Sequence, residues 1–160
     1  KILNILFNLI KKVEFDLAPE VLDAVIPPMT IQPLVENAYI HGLGDASENG
    51  SIRICAKAEA AMLVISVSDD GIGMSEETRQ QILGKNNCNE ALEQNKWRMH
   101  LTGIGMDNVV NRLKMFFGIE NVIQIKSRVG EGTTITLTVP FLKGKDDVTA
   151  RLIGEGDLDV

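Results

Sequence analysis

Gln32-Pro33-Leu34-Val35-Glu36-Asn37-Ala38-Tyr39-Ile40-His41-Gly42 decides how the rest of the chain is read, because two patterns overlap in it. Ile31, Leu34, Val35 and Ala38 recur at i, i+3, i+4 and i+7, the stripe of a helix that buries one face. Thr30 stands before it as a candidate cap, Pro33 falls in the first turn where its missing N–H is tolerated, and Gly42 and Gly44 are expected to stop the helix. Within the stripe lies a polar pair, Glu36-Asn37, that packing does not require. Taken alone, the pair reads either as a solvated face or as part of a site.

Before this helix, Val13, Phe15 and Leu17 alternate with charged residues, the period-two signature of a half-buried strand, and Pro27-Pro28 bars regular structure just ahead of Thr30. After it, Ile52, Ile54 and Ala56 alternate, then Leu63, Ile65 and Val67, with Glu59-Ala60-Ala61 between them as the turn of an antiparallel hairpin whose second strand ends at Asp69. A short helix is expected over Glu76 to Leu83. A second long one follows Gly103-Ile104-Gly105, with Val109, Val110, Leu113, Phe116 and Phe117 on one face and Gly118 as its stop. Val122 to Ile125 and Ile135 to Val139 predict a last hairpin joined through Gly130-Glu131-Gly132 and closed by Pro140. Helices falling between strand pairs predict an α/β (α+β) two-layer sandwich: one mixed, mostly antiparallel sheet covered on one face.

The 160 residues suit about one domain of roughly 150 residues, and 44% hydrophobic residues suffice for a single core. Sixteen Lys and Arg against 22 Asp and Glu leave a net charge of −6 with no basic patch, which disfavours nucleic acid as a partner. Asn4 and Asn8 cut the apolar run from Ile2 to Ile10, so it is neither a membrane span nor a signal peptide. Cys55 and Cys88 lack metal-ligand spacing, and reduced, cytosolic chemistry is the expectation. The start at Lys1 suggests a piece of something longer. Residues 143–160 carry many charges with little periodicity and are expected to form an acidic, weakly ordered tail.

Three further blocks join the first. Asp69-Asp70-Gly71-Ile72-Gly73-Met74 places two carboxylates at a strand end, followed by glycines that let backbone approach a flat ligand while a carboxylate accepts from an exocyclic amine. A plain acidic turn would look the same. Gly103-Ile104-Gly105-Met106 opens a helix whose first N–H groups suit an anion, or else hinges a loop. Gly130-Glu131-Gly132-Thr133 is a sufficient hairpin turn in itself. Neither GxxxxGK[ST] nor GxGxxG occurs, which excludes those two kinds of phosphate loop.

In order and separation the four blocks resemble the ATP-binding domain of the GHKL superfamily, the Bergerat fold, and specifically sensor histidine kinases of the YesM/LytS type. The resemblance implies an ATP-binding catalytic domain over residues 11–142 with an ATP lid at about 74–102. It implies that Asn37 holds Mg²⁺ against the phosphates and that Asp69 takes the adenine amino group. Gly71 and Gly73 would shape the adenine pocket, Met74 would join them in binding the nucleotide, and Thr133 would line the nucleotide pocket from the sheet. Gly103, Ile104, Gly105 and Met106 would end the lid and offer backbone N–H groups to phosphate, and His41 would stand beside the nucleotide one turn after Asn37.

Three residues depart from the family's usual wording: Asp70 where Asn is frequent, Pro33 where many carry a first Asn, and Ile40 where a Lys often neutralises phosphate. ATP-hydrolysing relatives place a general-base Glu four residues before the Asn, on the same helix face; Pro33 occupies that position here and cannot act as a base. Glu36 is the nearest carboxylate, rotated about 100° from Asn37 along a helix, so it either polarises a nucleophile or orients the helix.

His41 and His100 both lack the context of a phosphoacceptor, so the acceptor histidine is expected on a separate phosphoacceptor/dimerisation domain of the parent. Residues 1–10 fit either the last turns of that dimerisation helix or a helix of the domain itself. The resemblance further implies a homodimeric, membrane-anchored sensor whose cytoplasmic domain this is, with a response regulator as the onward acceptor. Two other functions compete: a nucleotide-sensing module without transfer, and a stand-alone anti-sigma-type protein-serine kinase.

Overall fold

The computed structural model describes residues 12–43, 50–84 and 104–144. Its elements, in chain order, are β1 (Lys12–Leu17), a 3₁₀ turn (Pro19–Val21), α1 (Gln32–Asn37) continued by a π-helix (Ala38–Leu43), β2 (Ser51–Glu59), β3 (Met62–Asp69), α2 (Glu76–Gly84), α3 (Ile104–Phe117), β4 (Ile123–Arg128) and β5 (Gly132–Pro140). The five strands form one sheet in the order β1-β2-β3-β5-β4, with β1 parallel to β2 and every other pair antiparallel. This is the mixed, mostly antiparallel sheet expected.

The two periodicities meet in the core. Alternate residues of β3 and β5, Leu63, Ile65 and Val67 with Ile135, Leu137 and Val139, are buried on one face of the sheet. Onto them α3 lays Met106, Val109, Val110, Leu113 and Phe117, and α1 with its π-type continuation lays Leu34 and Ala38, all buried. The opposite face carries partly buried hydroxyls, such as the cross-strand pair Ser68 and Thr134 at 2.9 Å. Gly118 ends α3 with a φ of 62° and donates its N–H to the Lys114 carbonyl, as its place after the apolar stripe predicted.

Several local expectations are corrected. Thr30 does not cap α1; its hydroxyl is buried and donates to the Pro27 carbonyl at 2.7 Å, closing the turn before the helix, and Ile31 stands at the cap with no side-chain bond. Gly42 does not stop the helix, which runs through it to Leu43 by widening to π-type, while Gly44 lies outside the described residues. Phe15 and Leu17 are not half-buried but 64% and 41% exposed, because β1 is an edge strand beyond the reach of the helical layer; Val13 alone packs onto the core. Glu59 pairs with Met62 within the ladder, so the first hairpin turns on Ala60 and Ala61 alone. The last hairpin's first strand starts at Ile123 and extends to Arg128, with Val122 buried just before it.

The short helix falls where expected, capped by Ser75, whose Oγ accepts the Thr78 N–H. Arg79 of α2 is held by Glu76 and donates to the Ile125 carbonyl at 3.3 Å, which blunts the open edge of β4. Residues 1–10, the lid beyond Gly84, Cys88, His100, Gly103 and the tail from 145 lie outside the described residues.

Candidate functional site: a polar row at the end of the sheet

Register sets the site. Residues paired across strands share a face, and the pairing Val13–Ile52–Asp69–Thr133–Ser127 crosses β1, β2, β3, β5 and β4 on the side the helices cover. The adjacent row, Phe15–Ile54–Val67–Ile135–Ile125, is apolar throughout. The helix-covered face therefore turns polar at Asp69, at the end of its strand.

Asp69 is half-buried there. Its Oδ1 accepts the Gly71 N–H at 3.0 Å. Burial raises its carboxyl above the ordinary value, aided by the nearby charge of Asp70, against the lowering effect of the Gly71 and Thr133 N–H groups. No cation among the described residues pairs with it. Asp70, exposed beside it, behaves oppositely. Desolvation raises its carboxyl, but the Ser51 hydroxyl and N–H, at 2.6 and 2.8 Å, outweigh that and hold it below its usual value. The two adjacent carboxylates thus have different work: Asp70 clasps β2 to β3, and Asp69 faces the row.

The first two sequence blocks meet at one carbonyl. Gly42 C=O, in the π-helix, accepts the Ile72 N–H at 2.8 Å. A Cβ on Gly71 would lie 1.8 Å from that backbone oxygen, which cannot yield, and one on Gly42 would lie 2.4 Å from Asp69 Oδ1 and displace that carboxylate. π-type turns inside helices recur at functional sites; in this one Gly42 lies against Asp69. The second and fourth blocks meet likewise. Gly132, at φ 85°, lies so close to the Asp69 carbonyl that a Cβ would stand 2.0 Å away, and Gly130 N–H donates to Ile72 C=O.

The sequence-predicted residues divide accordingly. Asp69, Gly71, Gly73, Met74 and Thr133 come together, Gly73 packing on the Arg128 carbonyl and Met74 N–H donating to Ser127 Oγ at 2.9 Å. Asn37 is half-buried at the last α-helical position, where the helix widens. Glu36 is exposed and its Oε1 accepts from the Gln32 amide at 2.8 Å. The His41 backbone belongs to the π-helix and its side chain lies outside the described residues. Ile104, Gly105 and Met106 form the first turn of α3, but the Met106 side chain is buried in the core, leaving only its backbone to a ligand. Three residues of the site carry no sequence signal: Ser127, Ser51 and Gly42 in its role against Asp69.

A five-stranded mixed sheet covered on one face by helices, with a half-buried carboxylate at the end of β3, is the architecture of a nucleotide-binding domain of the Bergerat type. Residues 26–143 match the family described as "Histidine kinase-, DNA gyrase B-, and HSP90-like ATPase", and the chain belongs to that ATP-binding family. It is 30% identical over 141 residues to the Sensor protein LytS of Enterococcus faecalis, covering 88% of this chain and 22% of that protein. It is 31% identical over 129 residues to the Sensor histidine kinase YesM of Bacillus subtilis, covering 81% and 19%. The chain thus spans about a fifth of the length of these relatives. The catalytic domain of the histidine kinase ThkA superposes with a TM-score of 0.57 at 19% identity, covering 86% of this chain and 84% of that one, which shows the fold. Among the described residues no helix is long and apolar enough to cross a membrane.

Proposed function

We propose that this chain is the catalytic ATP-binding domain of a two-component sensor histidine kinase: it holds Mg·ATP and presents the γ-phosphoryl to a histidine on a separate phosphoacceptor/dimerisation domain, for onward transfer to a response regulator. The observation that carries this is Asp69, a half-buried carboxylate in the polar row whose partners among the described residues are N–H groups. An acceptor held in that state fits the exocyclic amine of adenine.

Asn37 fits Mg²⁺ in the way that ion is usually bound, by one or two protein oxygens with substrate phosphates and water completing the shell. Magnesium supplies charge neutralisation at the phosphates. The chain's own residues position: Asp69 and Thr133 fix the base, Gly71 and Gly73 bring backbone against it, and the first turn of α3, with Gly103, Ile104, Gly105 and Met106, offers N–H groups to phosphate. His41, one turn beyond Asn37, flanks the nucleotide. Glu36, bonded to Gln32 on the exposed side of α1, orients the helix. With Pro33 in the general-base position, water is poorly activated and hydrolysis is slow. The parent is then a homodimeric, membrane-anchored sensor with this domain in the cytoplasm.

Calorimetric titration with Mg·ATP, followed by incubation with γ-labelled ATP and the matching acceptor domain, tests the proposal. The expected result is binding, slow turnover by the chain alone, and acid-labile label on the acceptor. Fast steady-state hydrolysis by the chain alone, binding without label transfer, or acid-stable label overturns it; the second result would leave a nucleotide-sensing module, the third a serine kinase.

A further inference from the structure

Ser127 is absorbed by none of the four sequence blocks, yet three hydrogen bonds converge on its hydroxyl. It donates to the Gly132 carbonyl at 3.0 Å, accepts the Met74 N–H at 2.9 Å, and lies 2.9 Å from Thr133 Oγ1. A hydroxyl has one proton and two acceptor lone pairs. A carbonyl can only accept, so the Ser127 proton goes to Gly132, and Thr133 must then be the donor in the Ser127–Thr133 bond. That fills both lone pairs of Ser127.

The consequence falls on Thr133, which is 8% exposed and has little room to bond elsewhere. Its only proton is directed at Ser127, so to any further partner it offers lone pairs. Its in-register neighbour across β3–β5 is Asp69, which when ionised also only accepts. Two acceptors stand side by side.

We infer that Ser127 is a positioning residue that sets base specificity: by holding the Thr133 hydroxyl as an acceptor beside Asp69, it makes the pocket select a purine with an amino group at C6 over one with an oxo group there. The inference deepens the adenine-site reading above and rests on it. An exocyclic amine has two N–H groups to give; a 6-oxo group would meet two acceptors and leave its own lone pairs unpaired. The same hydroxyl ties Met74, where the lid is expected to begin, to the base-reading residue.

The test compares ATP with inosine triphosphate, which carries an oxo group at C6, by calorimetry on the 160-residue chain. Ser127→Ala frees Thr133 to turn its proton toward the pocket. The preference for ATP is then expected to narrow about tenfold, as one hydrogen bond changes polarity. Ser127→Thr, which keeps the hydroxyl, restores the preference. In a Thr133→Val background, Ser127→Ala leaves the ratio unchanged, because the group it acts through is gone. In the nucleotide-free chain, Ser127→Ala speeds hydrogen exchange of the Met74 amide and Ser127→Thr reverses it.

Equal loss of both nucleotides in Ser127→Ala, or a ratio shift that survives Thr133→Val, overturns the inference by showing a merely structural role. An unmoved ratio with ATP still bound overturns it while leaving the adenine site intact. Binding of neither nucleotide by the unaltered chain overturns the adenine reading itself and the inference with it.

Discussion

At the scale of single residues, the site depends on a carboxylate kept in an environment that does not favour its charge. Because burial raises the Asp69 carboxyl in the fold, its ionised form opposes folding: the stability is full at pH below the unfolded value and falls as pH rises through the raised one. Asp69→Asn keeps an acceptor for the Gly71 N–H and removes the charge. It is expected to raise the melting temperature of the nucleotide-free chain at neutral pH, with the gain vanishing in acid. The same variant lowers ATP affinity by about 1.5–3 kcal/mol, the worth of a hydrogen bond to a charged group. Melting scans at several pH values beside calorimetry check both halves. Gly42→Ala, which would drive a Cβ into the Asp69 carboxylate, is expected to destabilise by about 1–3 kcal/mol and to abolish ATP binding; denaturant unfolding reads the first and calorimetry the second. Asp69 was legible only through the order and separation of its Asp-Asp-Gly block relative to the other three, since by itself a plain acidic turn would look the same. Ser127 was not, since a serine in Lys126-Ser127-Arg128 becomes a hub only through pairing with Thr133 and contact with Met74.

At the scale of elements, backbone conformation explains both what was foreseen and what was missed. The turn between β2 and β3 holds Ala60 and Ala61 at φ 46° and 65°, the left-handed pair of a two-residue hairpin turn that Asn-Gly prefers. The double change Ala60→Asn with Ala61→Gly removes that strain and is expected to stabilise the fold by about 1 kcal/mol, read by urea unfolding, with ATP affinity unchanged because the turn lies at the other end of the strands from Asp69. The stripe in α1 was legible because Leu34 and Ala38 must face the sheet whatever else happens. The π-type widening over Ala38–Leu43 was not, because it answers to the approach of Gly42 to Asp69 and Ile72, contacts 27 and 30 residues away in sequence. The exposure of Phe15 has the same origin: alternation in β1 reports two faces, and only the sheet order places that strand at an edge.

At the scale of the whole molecule, one core between the helices and the sheet carries a site at its rim, so a nucleotide at that site should stabilise everything. At a Mg·ATP concentration a hundredfold above its dissociation constant, linkage predicts a gain of about 2.7 kcal/mol, or roughly 5 to 11 °C in melting temperature for a chain of this size. A thermal scan across ATP concentrations checks it, and a melting temperature indifferent to ATP would contradict a nucleotide site in the folded domain. The amino-acid sequence by itself determined the periods of burial and hence the strands, the helices and their packing into two layers. It also placed the four blocks at the ends of those elements, because periodicity and chain punctuation are local properties. Only the tertiary structure decided that Gly42, Asp69, Gly132 and Ser127 adjoin one another and that the helix widens where Gly42 meets Asp69. Those facts depend on strand register and on backbone approach within about 3 Å, and neither is written in the identity of any one residue.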